Sequence, residues 1–276
     1  MQIRDYSLPA GWYPRDSAAV ADFLSPFSAK TGSKEGSRAA ISPHAGWYYS
    51  GALAAKGAAS LSRDAETIVI LGGHLGAGSP PLFAMEDSVR TPFGSMTIDA
   101  SLRRNLIDEL KGAEDRYRDN TIEVLLPMAH YFFPDVKLLW LRLGAQMESF
   151  DAGKTISQIA AKLNRKVNVL ASTDLTHYGS NYGFSPKGRG EAALRWVREV
   201  NDANFIKAVE AGDAREALRC AEEECAACSA GAVLGAMGFA KEEKLGKAHL
   251  LEYATSADIT GEDAPASFVG YAAFTF

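Results

Sequence analysis

Three short stretches decide the fold: Arg38-Ala39-Ala40-Ile41-Ser42, the alanine- and leucine-rich run from Gly51 to Leu61, and Thr67-Ile68-Val69-Ile70-Leu71. The first and third are short apolar runs, the third rich in β-branched residues and closed by Gly72-Gly73. They read as buried strands, and the run between them reads as a helix. Two strands joined by a helix imply a parallel βαβ unit. The same order returns at 137–143, 153–163 and 166–171, where Ile156, Ile159 and Leu163 form the apolar face of the helix and Lys166-Val167-Asn168-Val169-Leu170-Ala171 is a third parallel strand. Beyond them, helices are expected over Gly188 to Ala211, Asp213 to Glu224 and Cys228 to Ala240, then strands at 247–254 and 266–275. The whole predicts an α/β fold: a single domain over residues 1–276, with a mainly parallel central sheet flanked by helices and an antiparallel margin. Ser25 to Ser37, rich in Ser, Gly and Lys, is the best linker candidate. It lies too near the amino terminus to divide domains and reads as a surface loop after a short first helix.

A chain of 276 residues, 47% of them hydrophobic, can bury a substantial core without disulfides or metal. Lysine and arginine number 29 against 34 acidic residues, for a net charge of -5, so neither nucleic acid nor a membrane surface is expected as a partner. The start, Met1-Gln2-Ile3-Arg4-Asp5, is unlike a signal peptide, and no run approaches the roughly 20 apolar residues that span a bilayer. A cytoplasmic location is the expectation. The 3 cysteines, an odd count, cluster between Cys220 and Cys228 and form no disulfide framework. Any metal or nucleophile site must therefore draw on Cys220, Cys225, Cys228, His44, His74, His130, His177 and His249.

Ligands of open α/β sheets bind beyond the carboxyl ends of the strands, where βα loops and helix amino termini converge. His44, His74 and His177 each follow a predicted strand, in Ser42-Pro43-His44, Gly72-Gly73-His74 and Ser172-Thr173-Asp174-Leu175-Thr176-His177. One such histidine reads equally well as a loop residue; three in the same topological place point to a site. Pro43 and Gly46 suit a rigidly presented His44, although a plain strand-to-helix turn has the same look. Gly72 to Gly78 has neither the Lys-Ser/Thr of a P-loop nor the dinucleotide glycine spacing, so no nucleotide cofactor is expected. Asp174, three residues before His177, could orient its imidazole for general acid or base work, or Thr173 or Asp174 could merely cap a helix and leave His177 exposed.

Cys225-Ala226-Ala227-Cys228 has redox-dithiol spacing but follows an acidic helix, and a structural role is the default for Cys220 and Cys225. Cys228 sits where a helix begins, which favours its thiolate. Two imidazoles and a thiolate suit zinc, copper or iron. With Glu123 in place of the thiolate they would make the two-histidine, one-carboxylate set of non-haem iron oxygenases, though Glu123 also fits a solvent-facing helix position. His130, among aromatics, and His249, in a late strand, stay outside the site.

The residues also carry a resemblance. The chain resembles the Memo family, which includes the AmmeMemoRadiSam system protein B of bacteria and archaea. Pro9-Ala10-Gly11-Trp12-Tyr13-Pro14 is similar to the family's opening, and Pro43-His44-Ala45-Gly46-Trp47-Tyr48-Tyr49-Ser50-Gly51 matches its most recognisable motif. Arg90-Thr91-Pro92-Phe93-Gly94, Thr121-Ile122-Glu123 with Leu126-Pro127, Ser172-Thr173-Asp174 with His177, and Val269-Gly270-Tyr271-Ala272-Ala273 continue the match in order. The chain departs from the family in a shorter Gly72-Gly73-His74 loop, in Asn120 where the family has histidine, and in Ser229 where glycine follows the cysteine. The last departure leaves Cys225 in competition with Cys228.

The resemblance implies a fold similar to the class III extradiol dioxygenases. It places His44, His74 and Cys228 on the metal ligands, with Asp174, His177 and Glu123 lining the same pocket. It further implies iron or copper and redox chemistry, phosphotyrosine-peptide binding in an animal member, and a functional link to radical SAM and AMMECR-type proteins. The leading expectation is a dioxygenase-like metalloenzyme acting on an unknown small-molecule or peptide ligand, with His177 and Asp174 as an acid/base pair. A non-catalytic adaptor using the same pocket for an anion or peptide, and a zinc-dependent hydrolase, are the alternatives.

Overall fold

The computed structural model describes residues 2–28 and 36–276. Residues 29–35 of the expected Ser25 to Ser37 loop lie outside the described residues, and Ser25 to Ser28 close the first helix instead. The strands are β1 (Ile3–Arg4), β2 (Ala39–Ser42), β3 (Thr67–Gly72), β4 (Leu82–Phe83), β5 (Ser88–Thr91), β6 (Gly94–Thr97), β7 (Ala113–Glu114), β8 (Lys137–Arg142), β9 (Val167–Ser172), β10 (His177–Gly179), β11 (His249–Thr255) and β12 (Ser267–Thr275). The helices are α1 (Ser17–Ser28), α2 (Trp47–Ala59), α3 (Ala100–Leu110), α4 (Asn120–Glu123), α5 (Leu126–Phe132), α6 (Glu148–Lys162), α7 (Glu191–Trp196), α8 (Asp202–Ala211), α9 (Ala214–Glu223), α10 (Ala230–Glu243) and α11 (Ser256–Thr260). Among the described residues, no helix is long and apolar enough to cross a membrane.

The main sheet runs β10-β12-β2-β9-β3-β8-β4-β7, with β11 paired to β12. Its centre, β2-β9-β3-β8, is parallel, and β12 and β4 join it antiparallel from either side. The mixed α/β architecture is the expected one, with a correction to its first unit. The strands β2 and β3 are parallel but not neighbours, because the chain returns through α6 to insert β9 between them. That insertion positions the site. A small three-stranded sheet, β1-β5-β6, sits apart.

Every residue of β2, β3 and β9 is buried, as a sheet covered on both faces requires. Successive side chains point to opposite faces. Ile41, Val69, Leu71, Val169 and Ala171 pack toward α6 and α10, whereas Ala40, Ile68, Ile70 and Leu170 pack toward α2 and α5. Each fully buried leucine or isoleucine contributes roughly 1.5–3 kcal/mol. On the first face α6 and α10 approach closely, because a Cβ on Gly238 would lie 1.8 Å from the Phe150 carbonyl oxygen. Only glycine fits that contact, and it seats α10 tightly enough to bring its leading segment over the strand ends.

Helix boundaries differ from those expected where tertiary contacts intervene. Helix α2 begins at Trp47 instead of Gly51, because the Trp47 indole donates to the Val124 carbonyl (2.9 Å) and its amide to the Trp12 carbonyl (2.8 Å). Helix α10 begins at Ala230, so Cys228 precedes the helix instead of opening it. The expected helix over Gly188 to Ala211 is interrupted by a π-turn, Val197–Asn201. The extra residue in that turn is invisible to a 3.6-residue pattern, and it aims Asn201 and Asp202 into the fold.

Candidate functional site

Neighbouring strands lie about 4.8 Å apart, so β2 and β3, with β9 between them, deliver His44 and His74 to the same edge across one strand. Cys228 comes from the opposite direction. Its amide donates to the Asp174 carbonyl (3.2 Å), and the next amide, of Ser229, donates to Thr173 Oγ1 (3.2 Å). Gly73 makes room for this segment, since a Cβ there would sit 2.4 Å from the Ser229 Cβ. The result is a trio. The ligand atoms of His44, His74 and Cys228 lie within 4.8 Å of one another, with Cys228 Sγ 3.2 Å from His44 Nε2 and the two imidazoles edge-on at 5.0 Å between centroids. Metal bonds of about 2.0–2.1 Å to nitrogen and about 2.3 Å to sulfur hold donors at comparable mutual distances. The His-His-Cys group could therefore hold a metal ion.

Each imidazole is held by its other nitrogen, as metal-ligating histidines are. His44 Nδ1 pairs with Ser172 Oγ at the end of β9. His74 Nδ1 lies 3.5 Å from the Asp119 carboxylate. Asp119 in turn meets Arg142 and accepts from the Thr121 amide (2.9 Å). Arg142, fully buried at the end of β8, also binds Asp115 (2.7 Å), which accepts from the Trp140 indole (2.6 Å). His74 itself adopts a left-handed backbone (φ 58°), an uncommon state for a non-glycine residue that this network keeps in place.

The electrostatics follow from these contacts. Burial works to lower the His74 pKa, but its hydrogen bonds to Asp119 and Cys228 outweigh it and push the imidazole up to about 10. Burial works to raise Asp119, and His74 and Arg142 together hold it well below the usual carboxylate range. Burial likewise opposes the Cys228 thiolate, but the charge of His44 and hydrogen bonds from both histidines bring the thiol down to about 6. The thiolate is the form that binds metal.

His44 and His74 line a cleft of roughly 790 Å³, with Cys228 beside them, and the lining also includes Trp12, Tyr49, Asn120, Asp174, His177 and Tyr271. Asp174 and His177 thus reach the cleft, but not as a hydrogen-bonded pair. Asp174 is buried and accepts from the His44 amide (2.7 Å), while His177 Nδ1 faces the Leu175 carbonyl (3.1 Å). Burial pushes the Asp174 carboxyl up, which the positive charge of His177 only partly offsets. Asn120 holds the His44 carbonyl (2.8 Å) from the cleft wall.

Glu123 departs from expectation. It is neither among the residues lining the cleft nor at a solvent-facing helix position; it is buried, and its carboxylate accepts from the Ser7 amide (2.8 Å) and the Tyr13 hydroxyl (2.8 Å). It anchors the amino-terminal segment against α4, satisfying the partner that a buried carboxylate requires. Among the cysteines, Cys220 is buried in the core and Cys225 is exposed, so Cys228 alone joins the imidazoles. His130 pairs with Thr91 outside the cleft, and His249 is exposed on β11.

Sequence reading missed Ser172, Asp119, Arg142 and Asp115. The available signal was Arg142, a charge closing the apolar strand Lys137-Leu138-Leu139-Trp140-Leu141, which buried strands tolerate only with a partner. It also missed Asp202, which supports the loop carrying Asp174 and His177. Asp202 is fully buried and accepts from the Thr176 amide (3.1 Å) and the Tyr253 hydroxyl (2.8 Å). Burial lifts its carboxyl from 3.8 to about 6, against those hydrogen bonds. A carboxyl raised in the folded state binds its proton more tightly there, so stability is lost as pH rises from 3.8 through about 6. Asp202→Asn should therefore be more stable than the parent at pH 8 by up to roughly 3 kcal/mol, an advantage that fades as pH falls through 6 and is gone below 3.8. Urea unfolding across that range checks it; a difference that does not vary with pH would contradict the account.

A family profile described as Memo-like protein matches residues 4–275. A MEMO1 family protein of Pyrococcus horikoshii is 31% identical over 98% of this chain and 98% of its own. One of Thermococcus kodakarensis is 30% identical over 99% of each, and one of Methanococcoides burtonii is 33% identical over 85% of this chain and 84% of its own. A solved structure, an uncharacterized protein of Escherichia coli K12, aligns with a TM-score of 0.48 at 12% identity, covering 84% of this chain and 98% of that one.

Proposed function

The chain belongs to the Memo family, and on that premise we propose that it is a redox metalloprotein, dioxygenase-like in its chemistry, in which His44, His74 and Cys228 hold iron or copper at a cleft for a small substrate. The observation that carries this reading is the convergence of those three ligand atoms within 4.8 Å. Two imidazoles and a thiolate are donors for iron, copper or zinc, and the thiolate is a soft ligand of the kind that selects copper(I). When bound, the metal would supply a Lewis acid and a one-electron centre.

The chain's own residues divide the remaining work. Ser172 and the Asp119–Arg142 pair fix the two imidazoles. Asp174 holds the His44 backbone. His177 is the proton carrier: its Nδ1 is turned to the Leu175 carbonyl, which leaves Nε2 to give or take a proton from a ligand in the cleft. The ring is steadied edge-on against Tyr182 at 5.0 Å. Asp174, lacking a hydrogen bond to His177, acts on this proton only through the local field.

Elemental analysis of untagged protein tests the metal. The expected result is close to one iron or copper per chain, removed by chelation and restored on reconstitution with oxygen consumption in the presence of a substrate. Protein that binds only zinc and consumes no oxygen would move the reading to the hydrolase, and protein that takes up no metal would end it.

A further inference from the structure

The cleft has a second property that metal binding does not require. Aromatic rings gather at its mouth: Tyr49 and Tyr182 line it while 41% and 48% exposed, and Tyr48, 70% exposed, packs edge-on against Tyr49 at 4.9 Å. Scattered exposed aromatics are ordinary, but a group around one opening marks a contact surface. Trp12 and Tyr271 continue the aromatic wall inward.

Besides its three histidines, His44, His74 and His177, the ionisable side chains that set the charge of this cleft are acids. Among the described residues that line it there is no lysine or arginine, and the two acids are Asp174 and Glu262. Glu262 is exposed and makes no ion pair among the described residues. It also borders the adjoining groove beside α11, whose lining has five acidic residues against two arginines. Both arginines are engaged, Arg195 with Glu191 and Arg198 with Asp258. The acids of that groove therefore outnumber its arginines, and neither arginine is paired with Glu262. Sites that take phosphate or carboxylate commonly present arginine or lysine to it, and this one presents carboxylate, tyrosine and histidine.

We propose that the cleft takes a ligand with an aromatic ring and a positive charge, an arylalkyl ammonium by class, with its cationic end among Tyr49, Tyr182 and Glu262, and that it disfavours phosphate- or carboxylate-bearing analogues of the same size. An ammonium over a tyrosine ring gains from the ring quadrupole, and more so when partly desolvated. The Glu262 carboxylate adds direct attraction, and an anion in the same place meets like charge there. This rests on the cleft being the ligand site of the proposed function, not on the metal.

The test is calorimetric titration of the full chain, stripped of metal with a chelator, with benzyltrimethylammonium, benzyl alcohol and phenyl phosphate. The expected result is about tenfold tighter binding of the ammonium than of the phosphate. Glu262→Gln should shrink that ratio to within about threefold while leaving the alcohol unchanged. Tyr182→Leu should weaken the ammonium more than the alcohol, with an unchanged circular dichroism spectrum showing that the fold is intact. Phenyl phosphate binding as tightly as the ammonium, a ratio indifferent to Glu262→Gln, or no binding of any probe at millimolar concentration overturns the proposal. Metal content measured before stripping keeps the two readings apart. A metal-loaded protein without the charge preference defeats this inference alone, and the preference in a protein that never held metal defeats only the metalloprotein.

Discussion

Replacing Arg142 by methionine is expected to lower stability by roughly 3–5 kcal/mol, the range for removing one member of a buried ion pair. The side chain is fully buried and its guanidinium engages both Asp115 and Asp119. Methionine fills much of the volume but leaves the Asp119 charge to His74 alone, and Asp115 to Arg4 and the Trp140 indole. The cost comes from the stranded carboxylates, not from lost packing. Arg142→Lys should recover part of it, because an ammonium restores one charge contact but cannot reach both acids with planar geometry. Urea unfolding of the three proteins at neutral pH measures the difference. A loss below about 1 kcal/mol for the methionine variant would remove the network from the account of stability.

His44→Ala should cost at least a thousandfold in metal affinity, about 4 kcal/mol. A complete structural site contributes on the order of 10–16 kcal/mol across its ligands, so the loss of one donor of three is a large fraction. The same substitution removes the imidazole that Ser172 orients and that favours the Cys228 thiolate. Asp119→Ala leaves all three donors in place and frees only the far nitrogen of His74. Its expected cost is smaller, about 10–100-fold. Competition titration against a chromophoric chelator ranks the three proteins. Equal affinity in His44→Ala and the parent would exclude His44 as a ligand, and Asp119→Ala as damaging as His44→Ala would make the carboxylate a ligand in its own right.

Much of the fold was legible because its strands are short apolar runs covered on both faces. Thr67-Ile68-Val69-Ile70-Leu71 can satisfy its side chains only inside a sheet, and the observed strand differs from the expected one by a single residue. The boundaries of α2 and α10 were less legible. Trp47 starts its helix because of hydrogen bonds to Val124 and Trp12, residues far away in the chain. The π-turn before Asp202 obeys no local pattern either, since its reason is the loop it reaches, at Thr176 and the Glu224 carbonyl.

The candidate site divides in the same way. By itself, the sequence determined that His44, His74 and His177 follow strands and that Cys228 stands near the start of a helix, because strand periodicity and glycine breaks are local properties of the chain. Only the tertiary structure decided that β9 enters between β2 and β3, and this sets Ser172 against His44 and brings Cys228 to both imidazoles. It also decided that Glu123 turns to Ser7 and Tyr13 instead of the cleft, and that Asp174 holds a backbone amide instead of the His177 ring. The physical reason is that a carboxylate's role is set by whichever donors surround it after burial, and those donors come from segments more than a hundred residues away. No spacing within a single stretch of sequence encodes them.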